Sequence, residues 1–167
     1  MMDFFTEQCM SRLYEKFILE YYRREHPPLR ASAPHIDWVL DDNFSRGLPK
    51  MRSDVTLSAC GRMLIIDAKY YTSTMQTYYE KKTVRSANLY QIFAYVKNKQ
   101  VALERLGESV DVSGMLLYAA TDEDVQPEAT YRMSGNRISA TTLDLDRPFE
   151  EIRAQLDGIV EEYFLGE

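Results

Sequence analysis

Hydrophobic residues in the first 25 positions recur at spacings of three and four, the period of one face of an α-helix. Pro27-Pro28 ends this pattern, and Asp3 stands where an N-cap is expected. The apolar positions are Phe5, Cys9, Met10, Leu13, Phe17, Ile18, Tyr21 and Tyr22. The segment therefore predicts one long amphipathic helix from Phe4 to Glu25.

Short apolar runs follow, and their lengths are typical of strands. Residues 36–40 predict a short strand, and a polar loop over residues 41–50 comes next. Residues 52–58 and 63–70 predict two further strands, joined by a turn through Cys60-Gly61. These two strands predict a β-hairpin.

The second half of the chain continues the alternation of helices and strands. Residues 71–84 are rich in Thr and Tyr but have no clean period, which favours a loop or a short irregular excursion. Ser86 can cap a second helix, whose end the pattern leaves open between Asn98 and Leu106. The remaining predicted elements are a strand over residues 112–119, a hairpin of residues 130–133 and 137–145, and a closing helix over residues 148–164. This order predicts an α/β fold in which helices cover a mixed β-sheet.

The length of 167 residues, 45% of them hydrophobic, fits one core and predicts a single domain over residues 1–167. No stretch approaches the roughly 18 uncharged apolar residues of a membrane span, and the start lacks the pattern of a signal peptide. We therefore expect a cytoplasmic protein without a membrane segment. Its two cysteines, Cys9 and Cys60, form no CxxC pair and are too few for a zinc or iron-sulfur site. We expect them to be packing residues in a reducing compartment.

The net charge of -6 argues against a nucleic-acid partner until its distribution is considered. Residues 1–100 hold 15 Lys and Arg against 11 Asp and Glu, whereas residues 101–167 hold 5 against 15. The first part of the chain is thus basic although the total is acidic. This asymmetry permits a DNA partner without requiring one.

A charged pair ends the second strand of the predicted hairpin, after a run of apolar residues. Asp67 and Lys69 point to the same face because side chains alternate along a strand, and they share that face with Ile65. A charged pair at the edge of the core costs several kcal/mol of desolvation unless partners compensate. Asp54 lies on the preceding predicted strand, where an antiparallel hairpin can bring its carboxylate beside Asp67.

Two neighbouring carboxylates in a low-dielectric site repel each other unless a cation neutralises them. Magnesium suits this role because it prefers oxygen ligands, keeps several waters and often uses one or two carboxylates together with a substrate phosphate. A water at such an ion can attack a phosphodiester, while the ammonium of Lys69 either orients that water or stabilises the developing charge. The sequence leaves both roles of Lys69 open.

The tripeptide Asp67-Ala68-Lys69 taken alone is more typical of a surface salt bridge. The second acid, Asp54, strengthens the hydrolytic interpretation. Gln91 and Tyr95 strengthen it further, because they are four residues apart on the second helix and share a face. Each of these two taken separately is more typical of an ordinary core or surface residue. The hydrolytic interpretation therefore depends on the combination.

These residues, in their order, resemble the catalytic core of McrC proteins, the nuclease components of 5-methylcytosine restriction systems and members of the PD-(D/E)xK nuclease superfamily. The motifs that carry the resemblance are Arg52-Ser-Asp54-Val, Leu64-Ile-Ile-Asp67-Ala-Lys69-Tyr-Tyr and Asn88-Leu-Tyr-Gln91-Ile-Phe-Ala-Tyr95. The likeness continues in Leu13-Tyr-Glu15-Lys-Phe17, in Gly114-Met-Leu-Leu-Tyr118 and in residues 138–145. It thus spans most of the chain.

The resemblance implies a restriction-endonuclease-like α/β fold and a magnesium-dependent endodeoxyribonuclease, with manganese as a substitute ion. The implied catalytic residues are Asp54, Asp67, Lys69, Gln91 and Tyr95, the last two as contacts to DNA or to the acids. The implied metal ligands are Asp54, Asp67, the backbone carbonyl of Ala68 and Glu15. For Glu15 the alternative is an ordinary exposed charge on a helix.

The same resemblance implies DNA and a McrB-like AAA+ GTPase as partners, in a dimer or a multi-subunit assembly. Ser53 stands where the family often has proline, a difference that changes only the stiffness of the approach to the strand. The chain leaves no room for the additional N-terminal domain through which the family engages its GTPase, which puts partner binding in question. It also contains no Gly-x-x-x-x-Gly-Lys-Ser/Thr loop, so we expect any nucleotide-driven translocation to come from another chain.

Basic residues near the predicted site are candidates for phosphate contacts, namely Lys50, Arg52, Lys81, Lys82 and Arg85. Four tyrosines near the site can either pack or stack on unpaired bases, namely Tyr70, Tyr71, Tyr78 and Tyr79. Two alternative functions stay open from the sequence. One is a catalytically silent DNA-binding or assembly module with the same fold, and the other is a RecB-like or resolvase-type nuclease outside restriction.

Overall fold

The computed structural model describes residues 4–71, 75–78, 81–123 and 125–166, and for residues 75–78, 81 and 82 it describes the backbone. Its helices are α1 (Phe4–Glu25), α2 (Ser86–Arg105) and α3 (Phe149–Val160), and α3 continues into a π-helical turn over Glu161–Leu165. Its strands are β1 (Arg30–Ser32), β2 (His35–Ile36), β3 (Met51–Arg52), β4 (Val55–Ala59), β5 (Arg62–Lys69), β6 (Met75–Tyr78), β7 (Lys81–Val84), β8 (Asp111–Ala119), β9 (Ala129–Met133) and β10 (Asn136–Leu143).

Six of the described strands form one mixed sheet in the order β1-β4-β5-β8-β10-β9. Strand β8 pairs in parallel with β5 and β10, whereas the outer pairs are antiparallel. Parallel strands in the middle of a sheet are covered on both faces, and residues 112–119 of β8 are all buried. Strands β2 and β3 form a separate two-stranded ribbon, as do β6 and β7.

The alternation of side chains along β5 divides the core into two layers. Ile66 belongs to a cluster with Ile18 of α1 and Leu156 of α3. Ile65 belongs to a second cluster, with Ile92 of α2. Helices therefore cover both faces of the sheet, and the expected α/β fold of the restriction-endonuclease type is confirmed.

The two cysteines do not pack in the core, so the expectation made for them is wrong. The buried stripe of α1 runs through Tyr14 and Ile18, and Cys9 lies on another side of the helix, where it is exposed. Cys60 is exposed in the turn between β4 and β5. That turn requires left-handed backbone, with φ of 49° at Cys60 and 75° at Gly61, and it is a surface connection rather than part of the sheet.

The strand predicted over residues 36–40 is shorter than expected, because β2 ends at Ile36. Beyond it, polar partners outside the ladder hold the chain: Nε1 of Trp38 donates to the carbonyl of Pro49 at 2.7 Å, and the N–H of Val39 donates to the Asn98 side chain at 2.9 Å. Side-chain bonds of this kind compete with strand pairing.

The strand predicted over residues 52–58 is interrupted, and β3 and β4 are separate strands. At the break, the N–H of Ser53 donates to the carbonyl of Pro34 at 3.1 Å, and the hydroxyls of Ser53 and Thr56 lie 2.7 Å apart. Asp54 therefore stands in a bend between two strands rather than on a strand.

The segment 71–84, predicted as a loop, instead contains the ribbon of β6 and β7, which pair from Met75↔Val84 to Tyr78↔Lys81. Thr, Tyr and Val favour extended backbone. A ribbon outside the main sheet is under no requirement to alternate hydrophobic and polar residues, so the sequence pattern did not reveal it.

Helix α2 continues past Asn98 to Arg105, which settles the end that the pattern left open. Its last turn is closed by Gly107, which has a φ of 75° and donates its N–H to the carbonyl of Glu104 at 2.9 Å. Within the described residues, none of the helices combines the length and the hydropathy that a membrane crossing requires.

Candidate active site at the end of β5

The carboxyl end of β5 carries Asp67 and Lys69 on the face of the sheet that packs against α2. Asp67 is only 3% exposed, and its Oδ2 lies 3.0 Å from Nζ of Lys69. The structure thus brings an acid and a base together at the margin of the core, where the desolvation of each charge is offset by the other.

Asp54 reaches the same point from the bend before β4. The pairing of β4 with β5 brings it next to Asp67, and its Oδ2 accepts a hydrogen bond from the N–H of Ala68 at 2.9 Å. Burial is the main reason that the pKa of Asp54 is raised to about 9, and a hydrogen bond to Asp67 and the charges of Asp67 and Glu15 act in the same direction. The hydrogen bond from the N–H of Ala68 lowers the pKa of Asp54, but by less. Without a cation, Asp54 therefore holds a proton at neutral pH.

The two carboxylates fit a hard divalent cation. Oδ2 of Asp67 is buried and has Nζ of Lys69, at 3.0 Å, as its counter-ion, and that ammonium balances only one negative charge. Magnesium satisfies such an oxygen and needs only one or two carboxylates, because it keeps waters in its other positions. In the part of the chain that the structure describes, no group of three His, Cys, Asp or Glu side chains is placed to hold a metal. The fit therefore rests on Asp54 and Asp67, and the role of the Ala68 carbonyl stays a prediction.

Glu15 approaches the acids from α1 and is half-buried. Burial raises the pKa of Glu15, the charge of Asp67 adds to this effect, and the charges of Lys69 and Arg12 oppose it. Glu15 thus lies within electrostatic range of the carboxylate pair, and its assisting role at the metal stays a prediction.

Lys69 is held by a chain of side chains on α2. Its Nζ donates to Oε1 of Gln91 at 2.9 Å, and Nε2 of Gln91 donates to the hydroxyl of Tyr95 at 2.8 Å. Burial lowers the pKa of Lys69, but the charge of Asp67 and its hydrogen bond outweigh burial and raise the pKa above its ordinary value. The ammonium therefore stays charged at neutral pH, in an orientation fixed by Gln91.

Comparisons with known proteins identify the family to which this chain belongs. The family model described as McrBC 5-methylcytosine restriction system component matches residues 8–119. The chain belongs to this family. The Type IV methyl-directed restriction enzyme EcoKMcrBC of Escherichia coli (strain K12) is 31% identical to it over 161 residues, which cover 95% of this chain and 44% of that protein. The resemblance to McrC proteins is confirmed, and the chain spans less than half the length of this relative.

A solved structure supports the fold of this McrBC family member. It is the refined half-complex from a tetradecameric assembly of Thermococcus gammatolerans McrB AAA+ hexamers with bound McrC. The match has a TM-score of 0.56 and 17% identity, and it covers 90% of this chain and 33% of that chain. At this identity the likeness concerns the fold alone.

The structure places the side chains of three of the five basic residues predicted to contact DNA, namely Lys50, Arg52 and Arg85. Arg52 lines a cavity beside Asp54, whereas Lys50 lines a different cavity next to Trp38. Arg85 lies over the ring of Tyr71, 4.2 Å from its centroid. The side chains of Lys81 and Lys82 lie outside the described part of the chain.

Two of the tyrosines considered for base stacking pack against the protein. The ring of Tyr70 lies 6.1 Å from that of Tyr14, and the hydroxyl of Tyr71 donates to Asn88 at 3.1 Å. Packing is the better description of both rings. The side chain of Tyr78 and the whole of Tyr79 fall outside the described residues.

Sequence reasoning missed Asn88, which is buried between two tyrosines near the site. Its Oδ1 accepts from Tyr71, and its Nδ2 donates to the hydroxyl of Tyr118 at 2.9 Å. The spacing of Asn88, Gln91 and Tyr95 along α2 was the available signal, because residues three and four apart share a helix face.

Sequence reasoning also missed two cations on α1. Arg12 and Lys16 line the cavity beside Asp54, together with Arg52 and Glu15. Their signal was again helical spacing, since positions 12, 15 and 16 occupy one side of α1.

Proposed function

We propose that this chain is the nuclease domain of a modification-dependent restriction system and hydrolyses DNA phosphodiesters with magnesium, or with manganese in its place. The observation that carries the proposal is the buried pair Asp54 and Asp67, with Oδ2 of Asp67 beside the ammonium of Lys69. Membership in the McrBC family supports it.

The chemistry divides among the residues as follows. Asp54 and Asp67 would hold the ion, which when bound supplies Lewis-acid polarisation of a phosphoryl oxygen and a water suited to attack. The charge of Asp67 raises the pKa of Lys69 in the metal-free site, so Lys69 is an ammonium there, and we assign it the role of a cation rather than that of a base. It stabilises the negative charge that develops on the phosphate instead.

Gln91 and Tyr95 are positioning residues in this scheme. Gln91 holds the ammonium of Lys69 at 2.9 Å, and Tyr95 fixes Gln91. A charge that is preorganised in this way needs no reorganisation when the transition state forms. Glu15 adds negative potential at the acids and so favours the bound cation.

The proposed partners are DNA and a McrB-like AAA+ GTPase. Phosphate contacts are assigned to Lys50, Arg52, Lys81, Lys82 and Arg85. Support for the GTPase comes from the solved relative of the same fold, whose McrC is bound to McrB AAA+ hexamers. A cytoplasmic location and assembly as a dimer or larger complex stay predictions.

A plasmid-cleavage assay with magnesium tests the proposal, run with methylated sites and with and without a McrB-like GTPase and GTP. We expect the parent chain to cut, and Lys69→Ala to lose at least about 100-fold in rate because a charged stabiliser of this kind is worth about 3 kcal/mol. Lys99→Ala is the matched control, since Lys99 lies on α2 eight residues from Gln91, about 12 Å along the helix. Equal rates for the parent and Lys69→Ala would remove the assignment and leave a catalytically silent module as the alternative.

A further inference from the structure

A cavity of about 300 Å³ opens beside Asp54, between α1 and the residues that connect β3 to β4. Its wall carries the cations Arg12, Lys16 and Arg52 and the acids Glu15 and Asp54. The volume is at the lower limit of about 300–1,000 Å³ for ligand clefts. The cavity is therefore suited to a small charged group rather than to a large planar ring system.

In the described part of the chain, Arg12 and Lys16 form no ion pair within 4.0 Å, although the charge of Arg12 acts on Glu15 of the same wall. Arg12 and Lys16 are exposed, and the described ion pairs include neither of them. Arg52 is fixed at the wall because its Nε donates to the carbonyl of Ala33 at 3.0 Å, a bond that uses one of the five N–H donors of a guanidinium. Three cations with free N–H donors thus face a cavity that holds two acids, and this excess of positive charge favours an anion.

The anion that fits is a phosphate of the DNA backbone. Consecutive phosphates of one strand are separated by about 3.4 Å of helix rise, and Asp54 itself lines the cavity, so a phosphate next to one bound at Asp54 and Asp67 is within reach of this wall. Contacts to phosphates fix the position of the strand and carry no sequence information.

We propose that Arg12 and Lys16, together with Arg52, form a phosphate cradle that holds the DNA phosphate next to the scissile one; this rests on the nuclease function proposed above. The cradle sets the register of the strand against the two carboxylates. Arg12 and Lys16 are binding residues in this account, whereas the chemistry belongs to the acids and Lys69.

The first test measures DNA binding in an Asp67→Asn background, so that the DNA stays intact. The double variant Arg12→Gln/Lys16→Gln is expected to bind a short duplex at least about 10-fold more weakly and to lower the slope of log affinity against log salt by about 1 to 2. The matched control is Arg24→Gln/Arg132→Gln, which removes the same charge from two exposed positions. Arg24 lies about 18 Å from Arg12 along α1. An equal loss in both double variants, or no loss in either, would overturn the cradle.

The second test replaces single phosphates of the duplex with neutral methylphosphonates, one linkage at a time. For the phosphate in the cradle, the replacement is expected to weaken binding by the parent but to have no further effect on Arg12→Gln/Lys16→Gln, because the two changes remove the same contact. A scan in which every linkage behaves independently of these residues contradicts the proposal. Melting temperatures of the variants show that they are folded.

The outcomes separate the cradle from the nuclease function. If the parent cleaves DNA and no linkage is coupled to Arg12 and Lys16, the cradle alone is wrong. If the coupling is found but the parent does not cleave, the nuclease function is wrong and the cradle stands as a DNA-binding surface. A parent chain that binds no DNA overturns both.

Discussion

Asp67 is a charged residue almost removed from water, with a second carboxylate beside it and a lysine as its counter-ion. A residue of this kind stays in a fold only if its neighbours compensate for the lost hydration. Here Lys69 supplies one positive charge, and Asp54 avoids repulsion by holding a proton. In the absence of metal the site is thus balanced by the ammonium of Lys69 and by the proton on Asp54.

Asp67→Asn is expected to abolish cleavage while leaving the chain folded. With Asp67 neutral, Asp54 can ionise and become the counter-ion of Lys69, so the unfolding free energy should fall by less than about 2 kcal/mol, below the cost of a broken buried pair. Urea denaturation and a cleavage assay check the two parts. Cleavage at the parent rate, or an unfolded variant, would contradict this balance.

Tyr95→Phe removes the hydroxyl that fixes Gln91 and leaves Gln91 in place. We expect a loss of about 0.5–1.5 kcal/mol in stability and a roughly 10-fold lower kcat with unchanged KM, since Lys69 is held less firmly in the transition state. Tyr90→Phe on the exposed side of α2 is the control and should match the parent. A change in KM alone would assign Tyr95 to DNA binding instead.

At this scale, sequence reasoning located Asp67 and Lys69 because a strand alternates its side chains strictly. It located Asp54 through the hairpin, although the residue stands in a bend. It could not find the packing of Asn88 or the cavity at Arg12, because these depend on contacts between α1, α2 and the sheet that no local pattern specifies.

The packing of α2 on β8 determines where Gln91 stands, and it depends on the absence of a side chain at Gly114. A Cβ added there would lie 2.6 Å from Val96 and 2.8 Å from Ile92. We expect Gly114→Ala to cost about 1–3 kcal/mol in unfolding free energy, as overpacking does. Cleavage should fall with it, because α2 must move away from the sheet.

Gly158→Ala is the matched control for this substitution. Among the described residues, and apart from the backbone of its own helix α3, no atom lies within 4 Å of a Cβ added at Gly158. Alanine favours a helix over glycine by roughly 0.5–1 kcal/mol, so the variant should gain stability in urea denaturation. A gain at Gly114, or a loss of similar size at both positions, would contradict the described packing.

The elements that the sequence predicted well are those with a strong period or clear end signals. Helix α1 and the β4–β5 hairpin are of this kind. The sequence pattern did not show that β2 ends at Ile36, because the conformation of the following residues depends on tertiary hydrogen bonds. It did not show the ribbon of β6 and β7 either, because a ribbon outside the main sheet leaves no alternation of buried and exposed residues.

In the molecule as a whole, α1 and α3 are joined at Asp157. Its Oδ1 lies 2.6 Å from the hydroxyl of Tyr21 and 2.6 Å from Nε2 of His26. Burial raises the pKa of Asp157, but the hydrogen bonds of Tyr21 and His26 and the charges of His26 and Arg153 outweigh it and lower the pKa below its ordinary value. The contact therefore ties the end of the first helix to the last one.

Asp157→Asn is expected to reduce stability by about 1 kcal/mol at pH 7, the scale of a partly exposed hydrogen bond to a charged group. A carboxyl whose pKa is lowered on folding contributes stability above its unfolded pKa, which is about 3.9, and loses it as the pH falls through the folded value. The difference in unfolding free energy between parent and variant should therefore shrink as the pH falls below about 4.

Denaturation curves across this pH range, with Glu151→Gln as the control on the same helix, measure the effect. Glu151 is exposed and lies 4.0 Å from Arg147, so its replacement should change little at any pH. If the difference in unfolding free energy between the parent and Asp157→Asn increased as the pH was lowered, the charge of Asp157 would not stabilise the fold.

The single-domain organisation, the location in the cell and the partners remain predictions at the scale of the whole molecule, since the chain spans 44% of its relative. The fold itself followed from the order of elements, because a mixed sheet between helices is one of the few ways to bury their apolar faces.

Calorimetric titration of the purified chain with manganese tests the central claim most directly, because it measures the ion at the carboxylate pair without any DNA or partner. We expect one ion per chain in the parent, and at least a roughly 10-fold weaker affinity in Asp54→Asn and in Asp67→Asn, since each loses one of two anionic ligands. Titration curves for these two variants that match the parent would contradict the claim that Asp54 and Asp67 form one metal site.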